Sequence, residues 1–364
     1  MNTVDLLGRM IAIDTTSARS NLPLVELLER EARALGFQTR RQQWTDAQGV
    51  AKANLVATRG AEQPAVALVG HTDCVPFDPA WDGALAAAVR DGNLYGRGSA
   101  DTKSFIACAL GAASRNSLPL QLIFTADEEV GCLGAKRLLD EGRARPRTAV
   151  IGEPTKLIPV LGHKGYCLAE ITVEGAEGHS AYPDTGASAI LAAGRLLGAL
   201  ERIGRELAAD ADPLFSPPET TLNVGLIQGG KAKNVIAGAC TLTLEWRPIP
   251  GQDVRRVLGL VEQACAELST GRIRATVRAS RLDAGVSVPR DGKLLRLLAA
   301  ESGNEPQTIP FGTELPYLVG LGAEACVFGP GDIRVAHRTG EFVPLDDLAR
   351  AEVALARVIE SFQG

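Results

Sequence analysis

Two histidines and several carboxylates stand where short apolar segments end, and these residue types can hold divalent metal ions. The candidates are His71, Asp73, Asp101, Asp127, Glu128, Glu129, Glu153 and His337. Asp73 lies two residues after His71, where its carboxylate can bond the second imidazole nitrogen and fix the tautomer of a metal-bound ring. Adjacent carboxylates repel one another, and a bound cation would offset this repulsion in the run 127–129.

Each of these residues also has an ordinary explanation. Asp101 could cap a helix that starts near Lys103, and the run 127–129 could form a solvated loop. Taken together, however, the residues follow several apolar segments, and the ends of neighbouring strands meet at one rim of a sheet. Two divalent ions at this rim would be balanced by Asp101, Glu129 and Glu153 together with one hydroxide ion.

The segments that position these residues predict an α/β fold. Apolar runs typical of strands occur at 65–69, 120–124, 149–151 and 325–328, and helical spacing occurs at 24–35 and 348–362. Between them the pattern changes to strands at 166–173, 221–227, 235–246 and 273–277, with a long helix after the first. We therefore predict a catalytic domain with a central mixed sheet flanked by helices, residues 1–162 plus 281–364, interrupted by an inserted two-layer α/β domain, residues 163–280.

Composition excludes several classes of protein. The 364 residues carry a net charge of −5 and no basic run, so we expect no nucleic-acid partner. The chain begins without a basic, then apolar, leader and has no run long enough to span a membrane, which predicts a cytoplasmic protein. Its seven cysteines form no CxxC pair, so we expect them to pack in the core.

An ordered set of motifs resembles the two-zinc aminoacylase, carboxypeptidase and deacylase family. The motifs are His71-Thr72-Asp73, Gly96-Arg97-Gly98 through Asp101, Asp127-Glu128-Glu129-Val130-Gly131, Gly152-Glu153-Pro154-Thr155, Gly178-His179-Ser180 and the late His337. They keep the family's order along the whole chain. One departure is Asp101-Thr102-Lys103-Ser104, where the family usually has Asp-Met-Lys-Gly; it leaves the ligand intact and alters its surroundings.

The resemblance implies a division of labour among the candidates. His71 and Glu153 would hold one zinc ion, Glu129 and His337 the other, and Asp101 would bridge them. Cobalt or manganese could substitute for zinc. Glu128 would act as general base in the hydrolysis of an N-acyl amino acid, with Asp73 supporting catalysis.

The resemblance also assigns roles to the inserted domain, which would serve as a lid and a dimerisation domain. His179 would reach the active site of the partner subunit in a homodimer and stabilise the oxyanion. Asn234 and Arg247 would meet the substrate carboxylate, although Arg247 and Pro248 could equally be an ordinary strand end. His163 and Lys164 match family positions without an assigned role.

The expected substrate is N-acetyl-L-ornithine, in arginine biosynthesis, with N-succinyl-diaminopimelate and N-acetylcitrulline as alternatives. Glu314, in Phe311-Gly312-Thr313-Glu314, would attract the ornithine ammonium group and repel a succinyl carboxylate. Glu314 could instead cap the segment 315–321 or stand behind the residues that contact the substrate.

Two rival functions remain open. Residues 225–232 fit the phosphate-binding Gly-x-x-x-x-Gly-Lys pattern, but Ala232 stands where Ser or Thr is required, which favours a glycine-rich hairpin. A metal-free relative of the same fold, acting as a binding or dimer module, predicts broken ligand positions, whereas all five are present.

Overall fold

Helices and strands alternate from the start of the chain, as the apolar periodicity predicts. The computed structural model describes residues 1–60, 64–141 and 146–363. The elements as far as residue 163 are α1 Thr3–Ile11, α2 Leu22–Ala34, β1 Gln38–Thr45, β2 Ala51–Arg59, β3 Val66–His71, β4 Ala88–Arg90, β5 Asn93–Tyr95, α3 Lys103–Ala113, β6 Leu120–Thr125, α4 Leu133–Glu141, β7 Thr148–Ile151 and β8 Val160–His163.

The middle of the chain is richer in antiparallel strands. Its elements are β9 Tyr166–Glu174, β10 Gly178–His179, α5 Ala189–Leu207, β11 Thr221–Gly229, β12 Val235–Ile236, β13 Ala239–Arg247, α6 Arg255–Leu268, β14 Arg274–Asp283 and β15 Val286–Ser287. The chain then ends with α7 Lys293–Ser302, β16 Gln307–Ile309, α8 Leu315–Gly320, β17 Glu324–Val327, β18 Phe342–Pro344 and α9 Leu345–Ser361. Short 3₁₀ turns occur at Pro183–Thr185 and Ile333–Val335.

The first of two compact units comprises residues 1–161, 288–307 and 313–364. Its mixed sheet contains the strand order β1-β2-β6-β3-β7-β17. Strands β6, β3, β7 and β17 run parallel to one another, β2 runs antiparallel to β6, and β1 runs antiparallel to β2. Strands β3, β6 and β7 are buried throughout, as is typical of parallel strands, and helix α3 packs against β3 and β6. Helix α3 is apolar on every side, buried along its length, and packs against α1 and α9.

The second unit comprises residues 162–287 and 308–312. Its antiparallel sheet has the order β11-β13-β9-β14. Strands β9 and β13 alternate between buried and less buried positions, and the buried positions share an apolar core with α5 and α6. This is a two-layer α/β unit, and the predicted fold class is confirmed.

The limits of the second unit differ from the predicted residues 163–280. Strand β14 continues to Asp283, which pairs with Tyr166 of β9, and the main segment of this unit runs to Ser287. Residues 308–312 also belong to it. The single strand expected at 235–246 is divided into β12 and β13. Local periodicity does not reveal where a ladder ends, because its last pairs depend on a partner strand distant in sequence.

Residues 225–232 comprise the end of β11 and the start of the connection that leads towards β13. Strand β11 pairs antiparallel with β13, and the residues directly after Lys231 lead into β12 and not into a helix. The ammonium group of Lys231 pairs with Glu177 at 2.6 Å. A helix N-terminus is what a phosphate-binding loop needs. Within the described parts of the chain, no helix combines the length and apolar character needed to cross a bilayer.

We predict opposite effects of adding a methyl group at two glycines. A Cβ atom added at Gly152 would lie 2.1 Å from Cγ of Phe105, which is fully buried, so Gly152→Ala should destabilise the fold by about 1 to 3 kcal/mol. Gly194, within α5, has no atom within 4 Å of such a Cβ, so Gly194→Ala should stabilise by about 0.5 to 1 kcal/mol. Urea unfolding measures both, and equal effects would contradict this packing.

Candidate metal centre and active site

Three parallel strands deliver the candidate residues to one rim of the first unit. His71 is the last residue of β3 and pairs with Thr125 at the end of β6, just before the run 127–129. Strand β7, on the other side of β3, ends at Ile151, two residues before Glu153. Because the strands are parallel, their carboxyl ends coincide and the side chains beyond them converge.

Asp101 stands between two imidazoles. Its Oδ1 lies 3.0 Å from Nε2 of His71, and its Oδ2 lies 3.1 Å from Nε2 of His337. The same nitrogen of His337 lies 3.2 Å from Oε1 of Glu129. Ligand atoms about 2.0 to 2.1 Å from a shared zinc ion are separated by roughly 3.3 Å at tetrahedral angles, so this donor set fits a metal. His71, Asp101 and Glu129 form a group able to hold an ion, with ligand atoms within 4.8 Å of one another.

The charges of these groups depend on one another. Burial opposes ionisation of Asp101, yet the hydrogen bonds of His337 and His71 hold its pKa well below the usual range. The hydrogen bonds to Asp101 and Glu129 raise the pKa of His337 to about 10. Burial opposes protonation of His71, but the Asp101 carboxylate raises its pKa well above the usual range. Imidazoles beside these carboxylates supply positive charge when they are protonated, and a divalent cation would supply more charge at the same place.

The glutamates at the rim are poorly compensated. Desolvation raises the pKa of Glu128 to about 8, with His71 opposing the shift and Glu129 adding to it. Burial also raises the pKa of Glu129 and, more strongly, that of Glu153, and the charge of Asp101 adds to both. A carboxyl group with a pKa near neutrality is suited to general acid–base chemistry.

Asp73 makes different contacts from those predicted. Nδ1 of His71 lies 3.0 Å from the backbone carbonyl oxygen of Asp73 and 3.7 Å from Oδ1, so the carbonyl and not the carboxylate accepts the ring proton. The tautomer is still fixed, with Nε2 left to bind a metal. The Asp73 carboxylate instead accepts hydrogen bonds from the backbone N–H groups of Glu128, at 3.0 Å, and Glu129, at 3.3 Å. It therefore holds the turn that carries both glutamates.

A buried ion pair anchors the same turn. Lys52 and Asp127 are both almost fully buried, and Nζ of Lys52 lies 2.7 Å from Oδ1 of Asp127. Lys52 also donates to the backbone oxygens of Ser17 and Arg19. Asp127 has a φ of 57°, an uncommon conformation that these contacts stabilise. Asp127 is thus a structural member of the acidic run.

One cysteine touches the candidate base. All seven cysteines are buried and none forms a disulfide, as expected of core residues. Sγ of Cys132, however, lies 3.3 Å from Oε1 of Glu128. Both residues lie in the turn before α4, in which the N–H of Cys132 donates to the carbonyl oxygen of Glu128 at 2.9 Å, and no pattern of the sequence indicated this contact.

Neither carboxylate that could have been a helix cap acts as one. Thr102, not Asp101, occupies the cap position of α3. Glu314 precedes α8 without capping it, and Oγ1 of Thr313 accepts the hydrogen bond from the N–H of Leu315. Glu314 is 1% exposed, and its carboxylate oxygens lack a hydrogen-bond partner among the described residues. Burial raises its pKa to about 7.

The other predicted site residues lie in the second unit. His179 and Asn234 are exposed, and Nδ1 of His179 accepts a hydrogen bond from the N–H of Ala181 at 3.1 Å. The guanidinium group of Arg247 lies 4.6 Å from the ring centre of Tyr166, and its Nε donates to Glu245.

His163 and Lys164 are buried side by side in the second unit. Nδ1 of His163 lies 2.7 Å from the carbonyl oxygen of Lys164, and Nε2 lacks a partner among the described residues. Nζ of Lys164 donates to the carbonyl oxygen of Glu219 at 2.6 Å. These contacts make the pair a buried structural element of this unit.

Comparisons with known proteins bear on this site. A family model described as a peptidase dimerisation domain, M20_dimer, matches residues 161–271. The chain is 54% identical to an acetylornithine deacetylase of Myxococcus xanthus over 98% of this chain and 97% of that protein. It is 32% identical to an acetylornithine deacetylase of Photorhabdus laumondii over 99% and 97% of the two chains.

Solved structures share the fold. An M20 family metallo-carboxypeptidase from Sulfolobus solfataricus matches with a TM-score of 0.82 and 17% identity over 100% of both chains. A dinuclear metal-binding peptidase of the M20 family from Bacillus subtilis matches with a TM-score of 0.69 and 16% identity over 99% and 98% of the two chains.

We predict an acid-dependent loss of stability from His163. Burial lowers its pKa from 6.5 to about 4, so the folded protein binds this proton less tightly than the unfolded chain does. Stability should therefore fall as the pH drops from 6.5 towards 4, by about 2 kcal/mol between pH 6.5 and 5. His163→Gln should lose this component in urea unfolding at each pH. The exposed His179→Gln is the control, and an unchanged pH dependence in His163→Gln would refute the assignment.

Proposed function

The chain belongs to the M20 family and is close to the acetylornithine deacetylases, and on this premise we propose that it hydrolyses N-acetyl-L-ornithine to L-ornithine and acetate. It is a metal-dependent amidohydrolase. The observation that carries the proposal is the mixed imidazole and carboxylate set centred on Asp101. We place the reaction in arginine biosynthesis in the cytoplasm.

Five residues would hold two divalent ions, with zinc as the proposed metal and cobalt or manganese as substitutes. His71 and Glu153 would hold one ion, and Glu129 and His337 the other. Asp101 would bridge them, and its two oxygens already face different imidazoles. The set contains no thiolate, which suits these metals. A metal-free binding module would not need all five ligand positions.

The chain's own residues supply the proton transfers. Bound ions would polarise the amide carbonyl and lower the pKa of water towards about 7. Glu128 takes a proton from the attacking water and returns it to the leaving amine nitrogen, so that the acyl carbon gains the oxygen as the C–N bond breaks. Asp73 holds the backbone of Glu128, and the Cys132 thiol contacts its carboxylate. A base that is already oriented needs little reorganisation during the reaction.

We propose that the protein acts as a homodimer. Leu226 and Ile227 are exposed on β11, an edge strand, and Ile190 and Leu191 are exposed on α5 of the same unit. Apolar side chains beside an open strand edge are typical of an interface. His179 would act in the partner's active site. Because its Nδ1 accepts the N–H of Ala181, the neutral ring carries its proton on Nε2, which can donate to an oxyanion.

Two sets of side chains would recognise the substrate. Arg247, stacked on Tyr166, and Asn234 would bind the α-carboxylate. Glu314 would pair with the side-chain ammonium group of ornithine. Its buried carboxylate is without a hydrogen-bond partner in the described chain, so a cationic ligand would offset its desolvation.

We predict different outcomes for two adjacent glutamates. Glu128→Gln should keep both ions and lose about 10²- to 10⁴-fold in rate, because the base is removed and the ligands remain. Glu129→Gln should lose one ion. Metal content by plasma mass spectrometry and turnover measure these effects, with the exposed Glu360→Gln as control.

Chelation should abolish turnover and Zn²⁺ should restore it; activity in a metal-free preparation would disprove the metal requirement.

We predict complementation between two inactive chains. A heterodimer of His179→Ala and Glu128→Gln chains should contain one site with an intact base and an intact partner histidine. Its activity should therefore reach about half that of the wild-type dimer, whereas either variant alone stays inactive. Heterodimers isolated by two affinity tags provide the measurement. An inactive heterodimer would show that each subunit works with its own histidine.

We predict that Glu314 sets the preference for a cationic substrate. Glu314→Gln should lower kcat/KM for N-acetylornithine by about 10- to 100-fold, because it loses a charge-assisted contact, and should affect neutral N-acetylcitrulline much less. Wild-type protein should prefer N-acetylornithine over N-succinyl-diaminopimelate. A preference unchanged by the substitution would rule out the charge argument, and a wild-type preference for the succinyl substrate would overturn the proposed activity itself.

A further inference from the structure

A second buried ion pair lies behind the candidate metal ligands. Nη1 of Arg97 is 2.5 Å from Oε2 of Glu341, and the two residues are 3% and 0% exposed. Strand pairing brings them together: Phe342 of β18 pairs with Tyr95 of β5, so the residues next to each strand also meet. The N–H of Gly96 donates to the carbonyl oxygen of Glu341 at 3.1 Å, which extends this ladder.

The other oxygen of Glu341 is directed at the loop that carries Asp101. Its Oε1 accepts hydrogen bonds from the N–H of Ala100, at 2.9 Å, and from the N–H of Asp101, at 3.1 Å. Both N–H groups precede α3, so the helix ladder cannot satisfy them. A buried N–H group without an acceptor is costly, which makes Glu341 the partner that defines this backbone conformation.

Glu341 also belongs to the segment that carries another candidate ligand. His337 precedes it by four residues, and both His337 and Gly340 have positive φ angles, 59° and 81°. One side chain therefore joins the main chain of Asp101 to the segment of His337. Nε2 of His337 lies 3.1 Å from Oδ2 of Asp101. This distance depends on the position in which Glu341 holds the two segments.

Arg97 is needed because Glu341 is itself a buried anion near Asp101. Without a positive partner, the Glu341 carboxylate would add to the negative charge of the rim. The Arg97 guanidinium balances that charge, so Glu341 can remain an acceptor without repelling Asp101.

We propose that Arg97 and Glu341 form a positioning pair that orients Asp101 relative to His337 and thereby sets metal affinity. This inference rests on the proposed function, in which both residues are metal ligands. Residues that orient metal ligands typically change metal affinity by about 10- to 100-fold when they are removed. Neither member of the pair contacts the substrate or the reacting atoms in this role.

Two double variants separate the hydrogen-bond acceptor from the ion pair. Both Arg97→Met/Glu341→Gln and Arg97→Met/Glu341→Leu lack the buried charges, but only the first keeps an oxygen for the two N–H groups. Zn²⁺ affinity is measured on metal-stripped protein by competition with a chromophoric chelator. We expect the Gln variant to stay within about threefold of wild type and the Leu variant to bind at least one ion about 10- to 100-fold more weakly. Equal affinities of the two variants would overturn the proposal.

If the Leu variant does not fold, a comparison of Glu341→Gln with and without Arg97→Met tests the proposal. In Glu341→Gln the carboxamide has one oxygen, and Arg97 competes with the backbone N–H groups for it. We expect weaker Zn²⁺ binding than in wild type and recovery when Arg97→Met is added; no weakening, or no recovery, would overturn the proposal.

A matched control and the wild-type protein complete the design. Glu352 of α9 pairs at 2.6 Å with Arg115, which follows the end of α3, so Arg115→Met/Glu352→Leu should leave Zn²⁺ affinity unchanged. If the control weakens Zn²⁺ binding as much as the Leu variant does, the effect is general and the proposal is wrong. Wild-type protein that binds no Zn²⁺ would instead refute the proposed function.

Discussion

Asp101 accepts hydrogen bonds from two imidazoles while glutamates with raised pKa values surround it, and much of the first unit is arranged around this concentration of negative charge. Such a cluster is unfavourable without counter-charge. The parallel strands nevertheless bring it together, because the burial of β3, β6 and β7 stabilises the sheet independently of the charged residues beyond each strand end. A core made of apolar strands can therefore carry an electrostatically costly rim.

The buried cationic side chains near this rim bind acceptors other than the candidate metal ligands. Lys52 pairs with Asp127, Arg97 pairs with Glu341, and Lys103 donates to the backbone oxygens of Met10 and Ile13. Each fixes a loop that carries or borders a candidate ligand. Because these ammonium and guanidinium groups are engaged with other acceptors, the carboxylates at the rim keep their attraction for a divalent ion. Positive side chains thus serve to position the site and not to neutralise it.

The two units contain different kinds of sheet, and each kind suits a different role. A parallel sheet covered on both faces collects strand ends at one rim, which suits a metal site. The antiparallel sheet of the second unit has helices on one face and leaves β11 at an edge, which suits association with another chain. Arg247 and Tyr166 show how that sheet also fixes a side chain proposed to contact the substrate.

The fold class and the strands that end at the site follow from local patterns in the sequence. Apolar runs are local features, so His71, the run 127–129 and Glu153 could be placed at strand ends without knowledge of the fold. The metal ligands and the base came from the resemblance of ordered motifs, and their roles stay predictions.

The contacts that hold these residues in place join segments that are distant in sequence. Asp73 bonds Glu128 across 55 positions, and Glu341 bonds Asp101 across 240, distances at which sequence spacing carries no information. The same limit explains why Asp73 was expected to contact His71 through its carboxylate. A hydrogen bond depends on fractions of an ångström and on the direction of each donor, and these are set by how distant segments pack.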